Sequence, residues 1–111
     1  MSKKAKDLGY FIRLFFICTN SPSINVRRVE QRVLEGGHDV PISKIYARYT
    51  KSIINGSLAS LIVDRAYFYD NSIDNYSPKL IFRTADGLIK KQYHEFNGWT
   101  ANVKTILEVK N

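Results

Sequence analysis

Five cations in the first half of the chain fall at helical spacings. Arg28 and Arg32 stand four residues apart, and Lys44, Arg48 and Lys51 follow at intervals of four and three. On a helix such spacings bring side chains to one face. Guanidinium groups presented side by side hold phosphate oxygens in pairs, through a planar fork that lysine does not reproduce. Farther along, Asp70-Asn71-Ser72 closes an apolar stretch with polar side chains. The chemistry these residues suit is the handling of phosphate. Cradling a nucleotide takes more than arginines: a G-x-x-x-x-G-K-[ST] loop lets backbone amides curl around the phosphates and a lysine reach them. The glycines are at 9, 36, 37, 56, 87 and 98, and no two lie five apart. The motif is absent, so unaided phosphoryl transfer is not expected.

Other chemistries have less to stand on. Cys18 is the only cysteine, which leaves no intrachain disulfide and no C-x-x-C pair and fits a reducing, cytoplasmic setting. His38 and His94 are not spaced as metal ligands, and no metal site is expected. His38 follows two glycines and precedes Asp39, so it is a turn residue before it is a catalyst, with Asp39 placed to cap the next helix.

Charge points the same way as the arginines. Lysine and arginine total 17 against 10 acidic residues, a net charge of +7. Residues 1–56 hold ten cations and four acids, and residues 57–111 seven and six. A positive field concentrated in one half favours anionic partners, whether nucleotides, RNA or an acidic protein. A membrane span is not expected. The apolar run at residues 10–18 is far too short, and Arg13 interrupts it.

The elements that must position these groups follow from pattern. Residues 1–8 are a basic, flexible lead-in, and residues 9–111 form one α/β domain. The near-continuous apolar run at residues 10–18 has the character of a strand buried on both faces. Ser21 and Pro22 open a helix with Val26, Val29 and Val33 on one face, and Gly36-Gly37 ends it. A second helix spans residues 41–55, with Ile42, Ile45, Tyr49 and Ile53 as its apolar stripe and Gly56 as its stop. Residues 65–70 form a strand whose Tyr67-Phe68-Tyr69 run belongs to core and pleat. Residues 80–84 and 88–93 form a hairpin around Asp86-Gly87. Trp99 packs inward, and residues 101–109 form a short helix. The long helical crossover makes the first two strands parallel.

Arg28-Val29, Arg32, Gly36-Gly37-His38-Asp39-Val40-Pro41, Arg48-Tyr49, Lys51-Ser52 and Asp70-Asn71-Ser72 together resemble the C-terminal half of the zeta-toxin-like P-loop kinases, over about residues 9–93. That resemblance implies part of a P-loop kinase sheet, with two lid-like helices carrying arginines to the phosphates of ATP. It implies Arg32, Arg48, Lys51, Asp70 and Asn71 as cofactor-contacting residues, and a small hydroxyl substrate such as a UDP-linked amino sugar. Tyr46 and Ala47 stand where the family often has further arginines. The family's P-loop and its catalytic aspartate lie upstream of the matching region, so the chain is expected to be a split or truncated form, inactive alone. ATP with Mg2+ is then expected only with a P-loop-bearing partner. In that family the P-loop strand neighbours the strand that residues 10–18 match. One edge of that strand should be open to a partner, either a second copy or a P-loop-bearing chain. An antitoxin partner is implied as well. The alternative, resting on charge and aromatic content, is a basic protein- or RNA-binding module without catalysis.

Overall fold

The computed structural model describes residues 8–111. The expected basic lead-in therefore lies, but for Leu8, outside the described residues. Aromatic and branched side chains favour an extended chain, and they build β1 (Arg13–Cys18). A helix α1 (Pro22–Leu34) follows, with the Ser21 hydroxyl accepting the Ser23 N–H at 3.2 Å and Pro22 at its first turn. It ends where Gly36 turns left-handed (φ 91°) and the Gly37 N–H donates to the Arg32 carbonyl at 2.7 Å.

The second helix, α2 (Ile42–Ser60), runs five residues past its expected end. Gly56 is not a stop. It is buried inside the helix where the backbone crosses the Phe16 ring, and a Cβ there would sit 2.5 Å from Phe16 Cε1. The missing side chain is what lets helix and sheet approach so closely. Asp39 does not cap this helix either: its carboxylate accepts the Val40 N–H at 2.8 Å, and the cap position is Pro41.

β2 (Arg65–Asp70) pairs parallel to β1, with Phe16 opposite Phe68. β3 (Lys79–Ala85) and β4 (Leu88–Gln92) continue the sheet antiparallel. Their turn holds Asp86 and Gly87 at φ 52° and 79°, the left-handed pair that a tight hairpin requires. The chain closes with α3 (Trp99–Lys110), which starts two residues before the expected position. Among the described residues the result is an α/β fold with a mixed, open, four-stranded sheet in the order β1-β2-β3-β4 and three helices. β1 is an edge strand, without a second strand neighbour among the described residues.

The core lies on one face of that sheet. Phe68 and Phe82 stack at 4.5 Å, and Trp99, Val103 and Leu107 of α3 and Ile53 of α2 close over them. Each such side chain contributes about 1.5–3 kcal/mol on burial. The expectation that residues 10–18 are buried on both faces is overturned. Leu14, Phe16 and Cys18 turn inward, but Phe15 and Ile17 are 59% and 55% exposed. The reason is that α2 and α3 cover a single face. α1 packs on α2 and buries none of its own residues. Among Tyr67-Phe68-Tyr69 only Phe68 enters the core; the two tyrosines lie half-buried on the opposite face. No described helix is long and apolar enough to cross a membrane.

Candidate functional site: an arginine cleft

The C-terminal ends of β1 and β2 and the facing sides of α1 and α2 enclose a cleft of about 510 Å³. The parallel pairing of β1 and β2 brings Thr19 and Asn71 to its floor. The two-glycine turn folds α2 back beside α1, so that Arg28 and Arg32 face Arg48. Among the described residues, three arginines line the cleft and no carboxylate does. Arg28, Arg32 and Asn71 also border an adjoining depression of about 730 Å³, so these arginines stand between two spaces that open to solvent.

The three arginines differ in their commitments. Arg28 is tied down: its Nη2 donates to the Asn71 carbonyl at 2.8 Å and its Nε to Asp74 Oδ1 at 3.1 Å. Asp74 also takes Arg27 at 2.9 Å, so one carboxylate is shared between two guanidinium groups. Arg32 and Arg48 are exposed and have no carboxylate partner among the described residues. Their donors are available to a ligand. Arg28 supplies a fixed positive wall, and Arg32 and Arg48 supply the free forks.

The floor of the cleft is held by hydrogen bonds. The buried Thr19 hydroxyl donates to Asn25 Oδ1 at 2.7 Å, joining the end of β1 to the first turns of α1. The Tyr49 hydroxyl donates to the Thr19 carbonyl at 2.6 Å. Burial, with the neighbouring Cys18 and Asp70, pushes the Tyr49 phenol well above its ordinary range, so it stays a donor. Burial likewise pushes the Cys18 thiol from its ordinary 9.0 to about 11, against smaller lowering contributions from the Thr19 backbone and Tyr49. A protonated thiol is a poor nucleophile, so Cys18 is expected to react slowly at neutral pH. At pH 8 its alkylation by iodoacetamide is expected to run about a hundredfold slower than that of an unstructured cysteine, because the thiolate fraction falls tenfold per unit. The folded chain holds a proton that the unfolded chain releases. Stability from this thiol is therefore full below about pH 9 and is lost as pH rises toward 11. A pH series of alkylation rates and urea midpoints measures both.

Of the five residues expected to contact a cofactor, the fold gathers Arg32, Arg48 and Asn71 in the cleft. Lys51 lies on the exposed surface of α2, outside the cleft lining. Asp70 faces the other way: Oδ2 accepts the Trp99 indole N–H at 2.8 Å and Oδ1 the Ser72 N–H at 2.9 Å. His38 is an exposed residue of the turn between α1 and α2 and does not line the cleft. Arg28 joins the site although it was not among those five. No group of three or more His, Cys, Asp or Glu among the described residues is arranged to hold a metal ion.

No family model, curated protein or solved structure matches the chain.

Proposed function

We propose that the arginine cleft binds the phosphates of a nucleotide or nucleotide-linked sugar, and that the chain is the arginine-bearing portion of a zeta-toxin-like kinase. One observation carries the reading: among the described residues, three arginines and no carboxylate line a cleft at the C-terminal ends of two parallel strands. Open α/β sheets bind their ligands at that end. In phosphoryl transfer, charge spreads over the oxygens of the moving group, and catalysis is largely positioning and electrostatic stabilisation. Arg32 and Arg48 supply bidentate donors for those oxygens. Arg28, which shares the Asp74 carboxylate with Arg27, is held in place as the positive wall behind them. A general base and a phosphate-cradling loop come from a P-loop-bearing chain that adds its strand along the open edge of β1, where unpaired backbone groups wait for one. With that partner present, ATP would supply the phosphoryl group and Mg2+ would offset its charge. No group of His, Cys, Asp and Glu among the described residues is arranged to hold the ion, so its protein ligands would come from the partner.

The test mixes the chain with a P-loop-bearing chain supplied separately, ATP and a UDP-linked amino sugar. The expected result is transfer to the sugar hydroxyl at a rate exceeding that of either chain alone. No gain over the separate chains would overturn the completion of a kinase at β1.

A further inference from the structure

The face of the sheet opposite the core has a composition that no packed interior would use. The pairing register runs Phe15, Tyr67, Arg83 and Lys91 straight across all four strands, with Arg13 and Arg65 opposite each other one step away. Their in-between neighbours Ala66, Phe68 and Phe82 are buried on the other face, so strand alternation sends this set outward. Phe15 and Tyr67 stack at 5.0 Å with their rings 11° from parallel. The Phe11 ring, 57% exposed, lies beneath the guanidinium groups of Arg13 at 4.9 Å and Arg65 at 5.6 Å. Beyond β4, the Lys91 ammonium sits 5.0 Å from the Tyr93 ring, whose hydroxyl accepts the Arg83 Nε–H at 3.1 Å. No outward-facing strand position on this side is acidic.

Rings and cations together narrow the occupant. A covering helix layer would have to desolvate four cations without acidic partners from this sheet, a strongly unfavourable burial. Rings alone would favour an apolar protein surface, and cations alone would favour any polyanion. Interleaved, they match a strand that offers flat bases and phosphates in alternation. Bases need to be unpaired to stack on side chains, which a duplex does not allow. We propose that this open face binds single-stranded nucleic acid, with Phe11, Phe15, Tyr67 and Tyr93 stacking bases and Arg13, Arg65, Arg83 and Lys91 neutralising phosphates. Three strand spacings span about 14 Å, room for the two or three bases that four-stranded sheets stack. The face is distinct from the arginine cleft, and the two surfaces share only Ile17 at the end of β1.

The experiment is fluorescence anisotropy with a labelled twelve-nucleotide single-stranded RNA, the DNA of the same sequence, and the matching duplex. Single strands are expected to bind at least tenfold more tightly than duplex. A preference for RNA over DNA or equal binding of the two supports the surface alike, the first adding a contact to the 2′-hydroxyl. Four phosphate contacts give a log–log salt slope of about −3, and Arg83→Gln lowers its magnitude by about 0.7. The Phe15→Ala/Tyr67→Ala variant is expected to weaken binding about thirtyfold or more while leaving the slope unchanged. The Phe15→Leu/Tyr67→Leu variant keeps apolar cover and is expected to lose as much. Both are checked for folding by circular dichroism and for ATP affinity, which neither ring touches, so failure here and failure of the cleft reading are separately visible. Equal or tighter duplex binding, or full affinity without the two rings in a folded variant, would overturn the proposal. So would a dimer in sedimentation that the ring variants dissociate, with no single strand bound.

Discussion

Alanine at both Arg32 and Arg48 is expected to abolish measurable binding of ATP to the chain paired with a P-loop-bearing partner. Both side chains line the cleft, both are exposed, and neither has a carboxylate partner among the described residues. A hydrogen bond to a charged group contributes about 1.5–3 kcal/mol. Losing two such donors removes about 3–6 kcal/mol, or roughly 150-fold to several 10⁴-fold in affinity. A micromolar dissociation constant would pass out of calorimetric range. Arg48→Lys retains the charge but not the fork, and is expected to recover only a small part of the loss. Removing two positive charges also weakens the general field, so Lys90→Ala with Lys110→Ala serves as the comparison. Those exposed lysines lie outside the cleft, and their loss is expected to change ATP affinity less than threefold at physiological salt, where a Debye length of about 8 Å screens distant charges. If the lysine pair costs as much as the arginine pair, ATP is held by net charge and the cleft is not a site. The Arg28→Ala variant separates wall from fork. It also frees Asp74 from one of its two arginines, placing a less neutralised carboxylate beside the cleft, so its effect on affinity should exceed that of losing one exposed arginine.

Much of this arrangement was legible where the signal is local. Ser21-Pro22, Gly36-Gly37 and Asp86-Gly87 act within a few residues, through caps and left-handed turns, and each delimits an element where expected. Arg32 and Arg48 sit on helices that carry them to a common cleft. Sequence pattern failed where a second surface decides. Periodicity records that residues 10–18 are apolar but not whether a layer covers them; α1 rests on α2, and half of β1 stays open. Gly56 has the propensity of a helix stop, yet the Phe16 ring makes it a crossing point. Arg28 and Asp74 are 46 residues apart and Asp70 and Trp99 are 29 apart. No local pattern announces either pair, and so a carboxylate that resembled a ligand contact turned out to hold an indole.

That last pair gives the largest expected effect on stability. Trp99 is 1% exposed and packs between the Phe16 and Phe68 rings, at 5.6 and 6.3 Å. Trp99→Ala is expected to cost about 3–5 kcal/mol, from lost transfer energy and the cavity left behind. Domains of this size hold about 5–15 kcal/mol in all, so the variant should be largely unfolded in urea concentrations that the parent tolerates, read by circular dichroism because the chain has no other tryptophan. Trp99→Phe isolates the polar part. It keeps an aromatic body in the core but leaves Asp70 Oδ2 without its donor, an expected loss of about 1.5–3 kcal/mol beyond the smaller ring's packing deficit. A double-mutant cycle with Asp70→Ala, which removes the acceptor, measures the coupling directly. Coupling above 1 kcal/mol means the carboxylate is committed to structure. It then orders the Asp70-Asn71-Ser72 turn from below, while the Asn71 carbonyl seats Arg28 and the Ser72 hydroxyl accepts the Asn20 N–H at 2.8 Å. In that case Trp99→Phe should also loosen the arginine wall and weaken ATP binding, although the indole lies outside the cleft. A coupling near zero would free the carboxylate and restore Asp70 as a group able to meet a ligand.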